Sequence, residues 1–175
     1  MDIKTAIEEE HSKRQAVRIA NYIGTDATRM QELVNLVLAN SPKVSQRGAY
    51  ALSYCGESEP EAVWPHLTAL IRHLETPAIH DGVKRCILKV VEKAPLTEEQ
   101  QGLAANYCFE YATNPQEAIA VRAFSMTVLF NIGLEQPELL PELKLVVEEM
   151  MVHGGPAIQS RGQRILKAMH KMNIR

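Results

Sequence analysis

The stretch Ser41-Pro-Lys-Val-Ser-Gln-Arg-Gly-Ala-Tyr-Ala-Leu52 returns in altered form far down the chain, as Gly155-Pro-Ala-Ile-Gln-Ser-Arg-Gly-Gln-Arg-Ile-Leu166. Proline, a branched aliphatic two residues on, the pair Arg-Gly and a closing Leu keep the same offsets in both. An active site gives little reason to write one pattern twice, whereas a repeated structural unit does. The proline suits the first turn of a helix, where its missing N–H is one that a helix leaves unpaired anyway. Behind it Val44, Gly48 and Leu52 fall on one side at helical spacing, with Arg47 at the edge of that stripe.

Working outward, Pro42, Pro77, Pro115 and Pro156 each follow a Ser, Thr, Asn or Gly and each precede apolar residues at three-and-four spacing. They stand about 35 to 41 residues apart, the period of a two-helix repeat. Superposing these segments with an earlier one at residues 16–23 puts Arg18, Arg47, Gly82, Arg122 and Arg161 in one column. Three residues before the column stand Val44, Ile79, Ile119 and Ile158, with Gln15 breaking the pattern in the first copy. These positions predict a core face for each first helix. The column arginines predict inter-repeat contacts, each packing its stem on a neighbour and bonding carboxylates or helix carbonyls there.

A second set of amphipathic segments lies between the first: 27–40, 61–75, 100–113 and 141–153. No alternating strand with hairpin chemistry interrupts them, so the class is all-α. The N-terminal segment 2–23 reads either as one continuous helix or as two broken near Ser12. In 100–113, apolar residues cover well over half the circumference. That helix is either buried on both sides or exposes Phe109 to a partner or a second copy.

Val44 to Leu52, Ala120-Val-Arg-Ala-Phe124 and Pro137-Glu-Leu-Leu-Pro-Glu-Leu143 resemble the first-helix and second-helix signatures of HEAT repeats, and the resemblance covers nearly all of the chain. It implies an α-α superhelix of about four antiparallel helix pairs plus a C-terminal helix. It also implies a scaffold that binds other macromolecules more often than a catalyst. The third unit departs from the pattern, with Gly82 in the arginine column and Arg85 three residues later.

The 175 residues suit a single repeat domain over 1–175, able to bury roughly 70% of its unfolded surface. Net charge is −2 with both signs interspersed apart from Glu8-Glu9-Glu10, so no broad basic field favours nucleic acid. Cys55, Cys86 and Cys108 are odd in number and set among apolar neighbours, which reads as buried free thiols in the cytoplasm. The first residues lack the apolar stretch of a secretion signal, and no apolar run is long enough for a membrane span.

Catalytic patterns are missing from the sequence: there is no Gly-x-Ser-x-Gly elbow, phosphate loop or dinucleotide fingerprint. His66 and His73 lie two helical turns apart, too far to share a metal unaided, and the other four histidines fall in different units. The reading is therefore no metal, no cofactor and a chain leaning away from catalysis. Function then falls to a protein-binding or scaffolding surface on the second helices. Opposite their core stripes stand Gln31 and Asn35, Arg72 and His73, and Leu145, Glu148 and Val152, the candidate partner-binding residues. The rival readings are a nucleic-acid protein of the base-repair type, which calls for a basic groove, and an all-α enzyme with a small ligand, which calls for converging titratable groups. A homo-oligomer is compatible with either surface reading.

Overall fold

The computed structural model describes residues 1–174, and among these the chain is all-α, with no strand. The helices sort into two compact units, residues 1–96 and 97–175.

In the first unit the chain forms α1 (Ile3–Glu9), α2 (Lys13–Ile23), α3 (Ala27–Leu38) and α4 (Pro42–Ser58). They are followed by α5 (Pro60–Val63), a 3-10 turn (Trp64–His66), α6 (Leu67–His73) and α7 (Asp81–Val91). The N-terminal segment is two helices. Glu10 is extended, and the Ser12 hydroxyl accepts from the Gln15 N–H at 3.1 Å, so the second helix begins with its own cap. Gln15, the apparent break in the apolar column, is buried because its side-chain amide donates to the Ala6 carbonyl at 2.7 Å and ties α2 to α1. Helix α4 lies at the centre, packed against α1, α2, α3, α5 and α7. Gly48 permits this, since a Cβ there would stand 3.3 Å from a Val37 methyl and 3.5 Å from the Ile7 side-chain tip. Ile7, Leu33, Val37 and Leu52 close the core around it, each fully buried.

The second unit contains α8 (Glu98–Thr113), α9 (Ile119–Glu135), a 3-10 turn (Pro137–Leu139), α10 (Leu140–His153) and α11 (Pro156–Lys171). Helix α9 is its centre and packs on α8, α10 and α11. Thr97 and Gln100 start α8 with reciprocal bonds between side chain and backbone. The nearly all-round apolar character of α8 is met by burial of Ala104, Ala105, Tyr107, Cys108, Tyr111 and Ala112, while Phe109 stays half-buried. At the far end of the same helix pair, Gln101 donates to Glu135 at 2.7 Å and accepts from Gln136.

Three expectations need correction. Pro42 and Pro156 open helices, but Pro77 and Pro115 do not. After Pro77 the backbone turns through Ala78 at φ +57°, and the helix starts only at Asp81 with the His80 ring accepting from the Gly82 N–H. After Pro115 an Asn114-based turn intervenes before Ile119. Ile119 therefore sits on the first helical position and is 57% exposed, although its column predicted core. Finally, the segment 61–75 is not one helix: Pro65 has no N–H to give the Glu61 carbonyl, and the chain tightens into a 3-10 turn there.

Candidate functional site on the outer face of α10

Four of the repeat positions carry arginine, and their guanidinium groups reach different partners. Arg47 donates to the carbonyls of Ile7 and Glu8 at 3.3 and 3.1 Å, the open C-terminal end of α1. Arg122 does the same for α8, with two nitrogens on the Ala112 carbonyl at 3.2 and 3.1 Å. Arg161 donates to the Thr127 hydroxyl at 2.6 Å and lies over the Phe124 ring, 4.3 Å from its centroid. Arg18 is exposed, and its bond, to Gln15 at 3.5 Å, stays within its own helix. Two of the four lie in each compact unit, and three of them are bonded to backbone or side chains of neighbouring helices.

The surface residues read from the sequence separate in the same way. In the first unit Gln31 and Asn35 are exposed one turn apart, bonded to each other at 2.8 Å, and Arg72 is exposed on α6. His73 is not on that surface. It is 8% exposed, on the flank of the stripe made by Leu67, Leu70, Ile71 and Leu74, and the chain turns back so that the Thr76 hydroxyl meets its Nδ1 at 3.1 Å. Burial lowers the His73 pKa below the ordinary imidazole value, which favours the neutral ring.

In the second unit α10 buries Leu140, Leu143, Val147 and Met150. Its opposite face presents Leu145 and Val152, 68% and 70% exposed, seven residues apart and so two turns along one side. Glu148 and Glu149 are exposed between them, with Glu142 one turn before, and none of these carboxylates closes an ion pair with a described residue. Lys144 is half-buried on the flank. Beside Glu149 the surface falls into a cleft of about 250 Å³, walled by Thr113 at the end of α8, Pro115 just after it, Arg122 of α9, and Val146 and His153 of α10. Sequence reasoning missed this cleft. Its walls come from three helices, and no single stretch of sequence marks it.

Chemically the arrangement offers contact area and negative charge. Among the described residues no three His, Cys, Asp or Glu side chains gather as a metal-ligand set, and no helix is long and apolar enough to cross a membrane. The three cysteines are free and buried, and burial pushes the Cys55 and Cys108 thiols up to about 12.

Compared with known families, residues 3–169 match the HEAT repeat domain, and the chain belongs to that family. No curated protein and no solved structure matches it.

Proposed function

We propose that this chain is a non-catalytic protein-binding or scaffolding module, acting as one repeat domain over residues 1–175, whose principal contact surface is the outer face of α10. The observation that carries the reading is the pair Leu145 and Val152, two aliphatic side chains more than two-thirds exposed on a helix that buries Leu140, Leu143, Val147 and Met150 and half-buries Val146 and Met151. Lone exposed aliphatics are common, but two in register on one side form an anchor row. Glu148 and Glu149 between them select against acidic partners and favour a segment that is itself apolar with flanking Lys or Arg. An amphipathic helix laid along α10 fits this description.

Membership of the HEAT repeat family supports the general reading, since such repeats commonly mediate protein interactions. Gln31, Asn35 and Arg72 form a second, polar contact region in the first unit. The column arginines Arg47, Arg122 and Arg161 serve the repeat architecture, whereas Arg18, whose bond stays within its own helix, does not. Buried, weakly acidic thiols suit the reducing cytoplasm.

The test is a photo-crosslinking amino acid placed at position 145 in the native host, with position 61 as a control on another helix. The captured protein is then titrated against Leu145→Asp and Val152→Asp. Each change is expected to weaken binding roughly tenfold or more while helicity is kept. A partner that binds both variants as tightly as wild type would remove α10 as the contact face. A cross-link to a second copy would make the face a homo-oligomer contact.

A further inference from the structure

A second surface, in the first unit and on first helices, has the opposite character. Along α4, Tyr50 and Tyr54 lie one turn apart and half-buried, their hydroxyls 3.2 Å from each other and their rings edge to face at 5.3 Å. Helices α2 and α7 pack on either side of α4. From the α2 side the His11 ring meets Tyr50 edge-on at 5.8 Å. From the α7 side Lys89 Nζ stands 5.3 Å from the centre of the Tyr54 ring and 2.6 Å from the Glu57 carboxylate, one turn further along α4.

Glu57 is the acidic group at this end of the cluster, and Lys89 already neutralises it. The Lys89 hydrogen bond holds the Glu57 carboxyl below its usual range, and the charges of Lys93 and Lys13 act in the same direction. Lys13 and Lys93 are exposed and form no ion pair with a described residue. At the other end, the exposed Arg85 is close enough to oppose the rise of the Tyr50 pKa that the Tyr54 hydrogen bond causes. Of the other carboxylates nearby, Glu10 is paired with Arg14 at 3.1 Å and Glu92 is half-buried on the flank of α7. Arg85, Lys89 and Lys93 stand four residues apart along one side of α7 and the turn after it, and with Lys13 at the start of α2 they flank one neutralised carboxylate and two phenol hydroxyls. That is a local positive excess in a chain whose net charge is −2.

We propose that this surface, formed by Tyr50, Tyr54, Lys13, Arg85, Lys89 and Lys93, is a docking site for an acidic peptide segment rich in Asp and Glu. The charge excess supplies the attraction, and the tyrosines supply rigid contact area with a hydroxyl donor at the rim. The two tyrosine rings meet edge to face, His11 packs edge-on with Tyr50, and Lys89 lies over the Tyr54 ring, so much of the ring surface is already engaged. Stacking of nucleic-acid bases, which needs an open ring face, is therefore disfavoured against carboxylate binding. Helix α4 presents Tyr50 and Glu57 two turns apart, about 10 Å, which spans some three residues of an extended peptide. Unlike the α10 face, this surface attracts negative charge.

Fluorescence anisotropy of a labelled peptide of alternating Glu and Asp, titrated with the full-length protein at low and at raised salt, tests the proposal. Saturable binding that weakens with salt is expected, with a roughly tenfold loss for Lys13→Glu combined with Lys93→Glu. Both positions are exposed, so retained helicity is expected for the variant. Leu145→Asp is expected to leave this binding unchanged, which separates the two faces. The proposal is overturned if the peptide shows no saturable binding at low salt. It is equally overturned if reversing Arg164 and Lys167 on α11 causes the same loss, or if a single-stranded RNA of mixed sequence binds more tightly than the peptide.

Discussion

The Arg122 guanidinium closes the end of α8 by placing two nitrogens on the single carbonyl oxygen of Ala112, ten residues earlier, at 3.2 and 3.1 Å. The last carbonyls of a helix have no partner inside it, and the negative end of the helix dipole favours a cation there. Arg47 meets the end of α1 in the same way. Replacing either arginine by Ala is expected to lower stability by about 1 to 2 kcal/mol, the worth of a charge-assisted bond to a half-buried backbone acceptor. Hydrogen exchange locates the effect: Arg47→Ala should speed exchange in residues 3–9, and Arg122→Ala in the last turn of α8. Unchanged exchange at both places would show that these guanidinium groups do not hold the helix ends.

Two helical glycines should respond differently to a methyl group. At Gly48 a new Cβ would meet a Val37 methyl at 3.3 Å, a contact relieved by a small shift. Helix propensity favours Ala over Gly by about 1 kcal/mol, so Gly48→Ala is expected to be close to neutral. At Gly133 the Cβ would collide with the branch of the fully buried Leu140, a far closer approach than the one at Gly48. There the change is expected to cost about 1 to 3 kcal/mol. Urea unfolding midpoints of the two variants, measured side by side, check the ordering.

Stability should fall as the solution is acidified, with His73 among the causes. Its folded-state pKa is depressed by burial, so the unfolded chain takes up the proton at higher pH than the folded chain does. The stabilisation is complete above the ordinary imidazole value of about 6.5 and is lost as pH falls through the lower folded value. His66 shifts in the same direction for the same reason. His73→Gln, which keeps an acceptor for Thr76, is expected to flatten the dependence of the unfolding midpoint between roughly pH 7 and pH 5. Parallel profiles for variant and wild type would assign the acid sensitivity to other groups.

The thiols offer a fourth test. Cys55 and Cys108 are raised to about 12 by burial and Cys86 is raised for the same reason, so little thiolate exists near neutrality. A chromogenic thiol reagent is expected to leave the native protein unlabelled over minutes and to titrate all 3 cysteines once denaturant unfolds it. Rapid labelling of one thiol in the folded protein would contradict the burial described for it.

Much of the architecture was legible because helical burial imposes a period, and Val44, Gly48, Leu52, Ile158, Gly162 and Ile165 all keep to it. The exceptions have local causes. Pro77 and Pro115 look like helix starts in isolation, yet a left-handed Ala78 and an Asn114 turn delay the following helices, and that displacement carries Ile119 out to solvent. On the candidate surface, the outward direction of Leu145 and Val152 followed from the core stripe of their own helix. His73 went the other way because it stands on the flank of its helix's core stripe, and the following turn brings the Thr76 hydroxyl onto its ring. The cleft beside Glu149 and the tyrosine cluster on α4 were hidden for the same reason: each needs side chains from three helix segments to meet.

The third repeat breaks the rule set by the others, and the break has a use. With Gly82 in the arginine column, α7 approaches Gln46 of α4 so closely that a Cβ would lie 3.2 Å from it, and the seam closes by contact without a guanidinium. The arginine appears three residues later, as Arg85, exposed beside Tyr50. A cation that at positions 47, 122 and 161 is consumed inside the stack is here left facing outward. Regularity in such a chain marks where side chains are already occupied with one another, and a lapse in the pattern marks where one has become available to something else.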